Sequence, residues 1–600
     1  MRPQHPMSAS TATDPILALN AFPGRVAQGR EETVMLRKLL MAGIALGAAL
    51  IGPAAVADAT VDRALRDLLE RPQVCGQAGS ANSGTPVANM VMVEGFGSGG
   101  FTVATANPEA QAWFNHGVRL RWAFEHKESV RAFRKARLLD PRCGMCAWGE
   151  AWALGPNLNG GGNDDESQAA ALKAAREARR LARQATPMQR QMIDALVQRY
   201  SGQKFSRDRR FAQSMDRIAR YYPTDATVAA ITADAWMLKA DEWWDKDGKA
   251  ADPGITRAMT ILEQTLTQAP NDPAAIHLYI HLTEWSDDPH KAIPYGEKLA
   301  ALAPGASHLV HMPSHTFYRV GRYKDAMMSN VNAVALDRRY DGLARPPGGI
   351  PGMALHGHNI HFGMGGALMA GGGEEGLKLA EWFLATYPEI PATNVWRQAM
   401  ANNAYAIFGR FGSADQVAAL TEPDESRPML RVSWRFARGE AAARAGDAAA
   451  VRAEAEAIAA LRAVPNFSAG PMGDMRNAFT EVSQRVLEGR AAMIEGNADA
   501  AIAAFTRAAG IQAQDSEGGD PPILWYPTRR SLAAALLLKG DAAGARAKIL
   551  ELLEDWPSDP YSYFVLAEAE TTLGNPDAAA EARRKSAVEW IGGSMDLKLA

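Results

Sequence analysis

Cysteine is scarce in this chain of 600 residues, and acidic and basic side chains nearly balance, with a formal net charge of −3. A chain without excess positive charge has no basic field to attract nucleic acid or anionic lipid, so we expect no nucleic-acid partner. The three cysteines include Cys143 and Cys146 in the motif CGMC. In an oxidising compartment this motif predicts a tight disulfide or two thiolate metal ligands, and Cys75 is left without an evident partner.

The common catalytic signatures are missing as well. The sequence has no GxxxxGK[ST] phosphate loop, no GxGxxG segment that follows a predicted strand and no GxSxG turn. The glycine-rich segment GGALMAGGGEEG lies between predicted helices, so it does not predict a phosphate site. Long alternating runs of β-branched residues are also lacking, which argues against a sheet.

One apolar run near the N-terminus has the organisation of a secretory signal. Starting at Met35, the basic pair Arg37 and Lys38 precedes an apolar stretch over 39–51, and an A-x-A cleavage pattern follows at 55–57. The stretch is too short to span a bilayer comfortably, and no cysteine follows it for a lipid anchor. We therefore expect a periplasmic or secreted protein with no stable membrane anchor after cleavage.

Internal repeats of helical periodicity run through the rest of the chain. One unit, AWFNHGVRLRWAFEHKESVRAFRKARLLDP, is marked by Trp113, Gly117, Phe133, Ala136 and Pro141. A second, GRAAMIEGNADAAIAAFTRAA, has in corresponding places Gly489, Ala501, Phe505 and Ala508. The spacing resembles that of tetratricopeptide repeat (TPR) proteins, whose units are pairs of antiparallel helices. The resemblance implies an all-α helix-hairpin solenoid, wound into a right-handed superhelix, and says little about activity.

The chain as a whole resembles exported bacterial TPR proteins with a histidine-rich centre. We expect a non-native N-terminal extension at 1–34, a signal peptide at 35–57, an N-terminal segment and flexible linker at 58–105, and a TPR superhelix at 106–595. The histidine-rich groove is predicted at 273–365.

The histidines keep the period of the repeat. Each unit can be numbered so that its closing proline is position 32. Positions 5 and 9 of one unit are then His277 and His281, and the same positions of the next unit, 34 residues later, are His311 and His315. Position 2 is held by His308 and His358, and His361 stands at position 5. In TPR proteins positions 2, 5, 9 and 12 of the first helix line the concave groove. Glu284, at position 12, is expected on the same face.

Imidazole is the commonest protein ligand for copper, zinc and iron, and two histidines at i and i+4 chelate one ion. We therefore predict a site for one or two transition-metal ions with these ligands: His277, His281, His311, His315 and His361, supported by His358 and Glu284. Copper is favoured over zinc or iron because exported proteins meet copper and because four methionines lie nearby in the sequence: Met312, Met353, Met364 and Met369. Redox or hydrolytic chemistry at an open metal position would follow.

Two alternatives stay open from the sequence. The groove could bind a peptide or partner protein, with polar contacts from His308, Tyr318 and Arg529. The metal could instead be stored or delivered without turnover. His116, His126 and His290 lie off the groove positions and are interpreted as ordinary packed or surface residues.

Overall fold

A computed structural model describes the chain over residues 84–158, 162, 164–202, 206–392, 394–464, 467, 473–513, 521–522 and 524–600. The predicted extension, the signal peptide and Cys75 lie outside these described residues. Contacts divide the chain into two units, residues 1–71 and 72–600, and every described residue belongs to the second.

The first twelve helices are α1 (Pro108–Trp122), α2 (His126–Leu139), α3 (Gly144–Ala153), α4 (Asp165–Leu181), α5 (Pro187–Ser201), α6 (Arg207–Tyr221), α7 (Ala226–Lys239), α8 (Pro253–Gln268), α9 (Pro273–Thr283), α10 (Ile293–Leu302), α11 (Ser307–His311) and α12 (Pro313–Arg319). Short 3₁₀ turns lie at Val87–Asn89, Ala182–Gln184 and Pro289–Ala292.

The remaining helices are α13 (Tyr323–Ala344), α14 (Gly349–Gly352), α15 (His356–Ala370), α16 (Gly373–Thr386), α17 (Val395–Phe411), α18 (Ala414–Ala418), α19 (Pro428–Arg444), α20 (Ala448–Arg462), α21 (Gly473–Ile494), α22 (Ala498–Gln512), α23 (Arg529–Lys539), α24 (Ala542–Asp555), α25 (Pro560–Thr572) and α26 (Pro576–Glu589). A final 3₁₀ turn is Leu597–Leu599.

The described residues contain no β-strand beyond one isolated bridge between Trp244 and Ala250, so the predicted all-α fold is confirmed. Consecutive helices pack in pairs, and the first helix of one pair packs against the first helix of the next, which is the arrangement of a TPR-like solenoid. Within the described residues, no helix is both long and apolar enough to cross a membrane.

The small and large residues of the repeat signature meet inside the helix pairs. A Cβ placed on Gly117 would lie 2.9 Å from the Phe133 ring, and one placed on Gly489 would lie 2.5 Å from the Phe505 ring. Both phenylalanines are fully buried. Glycine is needed in the first helix because the phenylalanine of the second helix occupies the space of a side chain.

We expect Gly489→Ala to destabilise the protein by about 1–3 kcal/mol, because the added methyl group overlaps a ring that is packed on all sides. Gly510→Ala, at a helical position with no atom within 4 Å of the added Cβ, should instead stabilise by about 0.5–1 kcal/mol through helix propensity. Urea unfolding of the two variants measures both values. Equal effects of the same sign would refute the close packing at Gly489.

Residues 84–105, expected to belong to a flexible linker, instead pack against the helices. Met90, Val93, Phe96 and Val103 are buried. The glycines of this segment serve close approach: the carbonyl of Gly95 accepts a hydrogen bond of 2.8 Å from the Gly305 amide, and its φ is +93°. A glycine-rich composition therefore marks backbone packing here.

The Cys143 and Cys146 sulfurs are bonded, 2.10 Å apart, at the start of α3. The Cys143 sulfur also accepts a hydrogen bond from the Cys146 amide at 3.1 Å, which caps the helix. Of the two outcomes that the CGMC motif predicts, the structure has the disulfide.

Candidate metal centre

Four helices bring the histidines together, and a cap, a proline and a close-packed glycine fix their positions. Asp272 caps α9 by accepting from the Ala275 amide at 2.9 Å, with Pro273 in the first turn. Pro313, which lacks an amide hydrogen, separates α11 from α12 at Met312 without turning the chain. Close approach of α15 to α13 depends on Gly366, where a Cβ would lie 2.7 Å from the Met327 nitrogen.

We name two groups by their residues: the first trio is His277, His281 and His308, and the second trio is His311, His315 and His358. Within each trio, one ring nitrogen from every histidine lies within 4.8 Å of the other two. A third grouping under the same limit, His281, Glu284 and His315, links the two trios.

The second trio has its three Nε2 atoms facing one another. His311 Nε2 lies 2.9 Å from His315 Nε2 and 3.1 Å from His358 Nε2. Zinc binds imidazole nitrogen at about 2.0–2.1 Å, so an ion between three nitrogens at this spacing is within bonding reach of all of them.

The Nδ1 atoms of His311 and His315 are already committed. His311 Nδ1 donates to Asn330 Oδ1 at 2.6 Å, and the amide orientation is fixed because Asn330 Nδ2 donates to the Ala326 carbonyl at 2.8 Å. His315 Nδ1 donates to Glu284 Oε1 at 2.7 Å. With Nδ1 donating, the Nε2 atom of a neutral imidazole is the nitrogen left to accept a hydrogen bond or to bind a metal ion.

The first trio follows the same plan. His277 Nδ1 donates to the Trp122 carbonyl at 2.6 Å, which leaves its Nε2 without a hydrogen-bond partner. His281 Nε2 and both ring nitrogens of His308 are also buried and unpartnered. Buried polar atoms without partners are costly in proteins, so this concentration at one place indicates a missing ligand.

One phenylalanine ring packs against each trio. Phe124 has ring-centroid distances of 4.2 Å to His277, 5.5 Å to His281 and 5.2 Å to His308. Phe362 lies 4.9 Å from His311, 4.3 Å from His315 and 4.8 Å from His358. Phe124 has a φ of +56°, a costly conformation for a bulky residue, and the packing of its ring among the imidazoles opposes that cost.

Burial favours the neutral form of five trio histidines. Desolvation lowers the pKa of His277 and of His358 to about 3, and it lowers the pKa of His281, His308 and His311 well below the ordinary value. Neighbouring imidazoles lower these pKa values further. At neutral pH these rings are therefore in the form that binds metal.

Glu284 is buried behind the two trios. Its Oε1 accepts from His315 Nδ1, and its Oε2 lies 4.0 Å from His281 Nδ1. Both contacts are to Nδ1 atoms, so the Nε2 atoms of His281 and His315 stay available to a metal ion. Glu284 is thus placed to orient one histidine of each trio.

The structure separates His361 from the predicted ligands. Its Nε2 lies 3.3 Å from the Pro521 carbonyl oxygen, and its Nδ1 lies 3.4 Å from Asn403 Nδ2. His308, predicted only as a groove residue, takes a ligand position in the first trio instead. Three residues along a helix differ by about 60° in direction, which turns His361 from His358 toward α17.

The other predicted groove residues lie elsewhere. Tyr318 is buried one turn beyond His315, with its ring edge-on to Tyr323 at 5.2 Å. Arg529 pairs with the exposed carboxylates of Glu551 and Asp555, so it does not face a groove ligand. Its neighbour Arg530 is the buried one.

His356 was not among the predicted residues, although it is buried two positions before His358. Its Nδ1 donates to Asp337 Oδ2 at 2.8 Å, which fastens the start of α15 to α13. His356 and Asp337 lie on different helices with an insertion between them, so the repeat period does not predict that they pair.

No protein-family model matches the chain, and no curated protein matches it in sequence. Solved structures that match include the human IFIT1 dimer with m7Gppp-AAAA (12% identity, 74% of this chain and 89% of that chain, TM-score 0.31). Others are Naa15/Naa10 bound to HypK-THB (13%, 80% and 70%, 0.20) and the APC/C hetero-tetramer Cut9-Hcn1 (12%, 81% and 94%, 0.23). Likeness at this level carries no information about function, and the solenoid assignment rests on the helix pairs above.

Proposed function

We propose that this protein is an exported metalloprotein that binds transition-metal ions through the first and second trios. The proposal is supported by the second trio, where His311 Nε2 lies 2.9 Å from His315 Nε2 and 3.1 Å from His358 Nε2, while the Nδ1 atoms of His311 and His315 bond to Asn330 and Glu284. The first trio adds buried ring nitrogens of His277, His281 and His308 that have no hydrogen-bond partner. A metal ion would satisfy the nitrogens of both trios.

The ligand set favours copper, and zinc and iron fit the same nitrogens. Imidazole suits all three metals, and divalent copper binds such ligands most tightly. Exported proteins encounter copper, and we infer export from the signal-like segment at 35–57.

Three histidines for one ion leave coordination positions for a substrate or water. The chemistry that the bound metal would supply is redox or metal-assisted hydrolysis, with the trios holding the ion and the phenylalanine rings limiting water. If the metal-loaded protein turns over no substrate, its proposed function is storage or delivery of the same metal.

Elemental analysis tests the proposal. The untagged full chain, purified from cells supplemented with copper, zinc and iron, should carry about one to two equivalents of one metal. His311→Ala/His315→Ala should lose the share held by the second trio and keep its helical circular dichroism. His361→Ala, a buried histidine outside both trios, should keep the wild-type content.

A wild-type protein that stays metal-free after reconstitution would overturn the metal proposal. The remaining function would then be the binding of a peptide or partner protein on the first helices of the repeats. Full metal content in the double variant would place the site elsewhere.

A further inference from the structure

We infer that the cluster is a dinuclear centre, with one metal ion in each trio and a small anionic ligand bridging the two ions. The inference rests on the proposed metal binding and adds the number of ions, their adjacency and the class of exogenous ligand.

The two trios are the same site built twice by the repeat. Each consists of the histidines at positions 5 and 9 of one unit and the histidine at position 2 of the next. His308 follows His277 by 31 residues, and His358 follows His311 by 47, because 16 additional residues lie in the insertion before α15. A site that recurs in register with the solenoid provides for one ion per copy.

The surroundings of the trios correspond position by position. The position-5 histidines, His277 and His311, both donate from Nδ1 to a neutral oxygen, that of Trp122 or of Asn330. Both position-9 histidines have Nδ1 toward Glu284, at 4.0 Å for His281 and 2.7 Å for His315. Each trio also has its own phenylalanine ring, so each is a separate site with its own surroundings.

The register also explains why the described residues contain no third copy of the trio. The next unit carries His361 at position 5, but position 9 is Gly365. Without a partner one turn later, His361 turns to Asn403 and the Pro521 carbonyl.

The trios are adjacent. Across them, ring centroids are 5.2 Å apart for His308 and His311 and 5.2 Å apart for His281 and His315, comparable with 4.9 Å for His277 and His281 within the first trio. Two-metal sites hold their ions about 3.5–4 Å apart, a separation that one small ligand spans.

The charge balance indicates what that ligand is. Two divalent ions would be surrounded by six neutral imidazoles, with Glu284 as the one carboxylate that contacts the trios in the described structure. A buried centre with this excess of positive charge favours an anion in the open positions. Hydroxide fits this description in water, and azide is a suitable probe.

Copper(II) titration with electron paramagnetic resonance tests the inference. The metal-free full chain is loaded with copper(II), desalted, and measured for copper content and for unpaired spins, with and without azide. We expect two copper ions per chain and a spin count well below the copper content, because two bridged copper(II) ions couple and lose their signal. Azide should shift the ligand-to-metal absorption of this coupled state.

Two matched variants separate the trios. His308→Ala should leave only the second trio filled, and His358→Ala only the first. Each should bind one copper ion and show a full spin count. His361→Ala should behave as wild type. His308→Asn and His358→Asn serve as replacements if an alanine variant does not fold, as judged by circular dichroism.

The outcomes distinguish this inference from the proposed function. One copper ion in the wild type, or two with a full spin count, would overturn the dinuclear centre while leaving metal binding intact. Loss of both ions in either single variant would mean one site shared by all six histidines. No copper at all would overturn the proposed function itself.

Discussion

We expect copper, if it binds at the two trios as proposed, to raise the midpoint of thermal unfolding by several degrees, since each filled site would add about 4 kcal/mol when free copper is about a thousandfold above its dissociation constant. The first trio buries imidazole nitrogens that have no partner, and the second brings His311 Nε2 within 2.9–3.1 Å of two other imidazole nitrogens. Metal binding would satisfy these nitrogens in the folded state only. Differential scanning calorimetry of the copper-loaded and chelator-treated chain measures the shift.

Two variants make this prediction specific. His361→Ala keeps both trios, so its copper-induced shift should equal that of the wild type. His277→Ala/His311→Ala lacks one ligand in each trio and should show little shift. A rise of the same size in the double variant would mean that copper stabilises the fold from another place.

Replacing Asp559 by alanine lowers the free energy of unfolding by about 3–5 kcal/mol, the cost of leaving a buried charge unpaired. Asp559 is fully buried and accepts from Arg530 Nη1 at 3.0 and 3.2 Å. It also caps α25, accepting from the Tyr561 and Ser562 amides at 3.2 Å each. The substitution therefore removes an ion pair and a helix cap together.

Asp555→Ala is the matched control for Asp559→Ala. Asp555 pairs with the neighbouring arginine, Arg529, but its side chain is 61% exposed. Water solvates both charges when that pair is broken, so the free energy of unfolding should change by about 1 kcal/mol or less. Urea titration of the two variants compares them, and losses of equal size would refute the distinction between buried and exposed pairs.

The helices that carry the trio histidines could be predicted because the repeat sets them in register. Positions 5 and 9 of successive first helices are neighbours in any TPR-like solenoid, so four of the six trio histidines followed from counting residues. His308 shows the limit of this reasoning. Its place at position 2 was recognised, but completion of a trio across two units depends on how closely adjacent helices pack, which spacing alone does not give.

Other differences between the prediction and the structure arise where side-chain direction or backbone packing determines which residues are buried. Arg529 and Arg530 are adjacent at the start of α23 and point about 100° apart, so a small error in register exchanges the buried residue for the exposed one. Gly95 and its neighbours have the composition of a linker, but a residue without a side chain also permits backbones to touch. Composition does not distinguish these two uses.

The hydrogen bond from His277 to the Trp122 carbonyl joins residues 155 positions apart in the chain. Tyr340 likewise donates to Glu128 across 212 residues. An ideal repeat array has contacts only between nearest neighbours, and it unfolds progressively from its ends. These distant contacts remove that freedom, because the first helix pair cannot fray without opening the first trio. Folding should accordingly be slower and more cooperative than in a linear array of the same length.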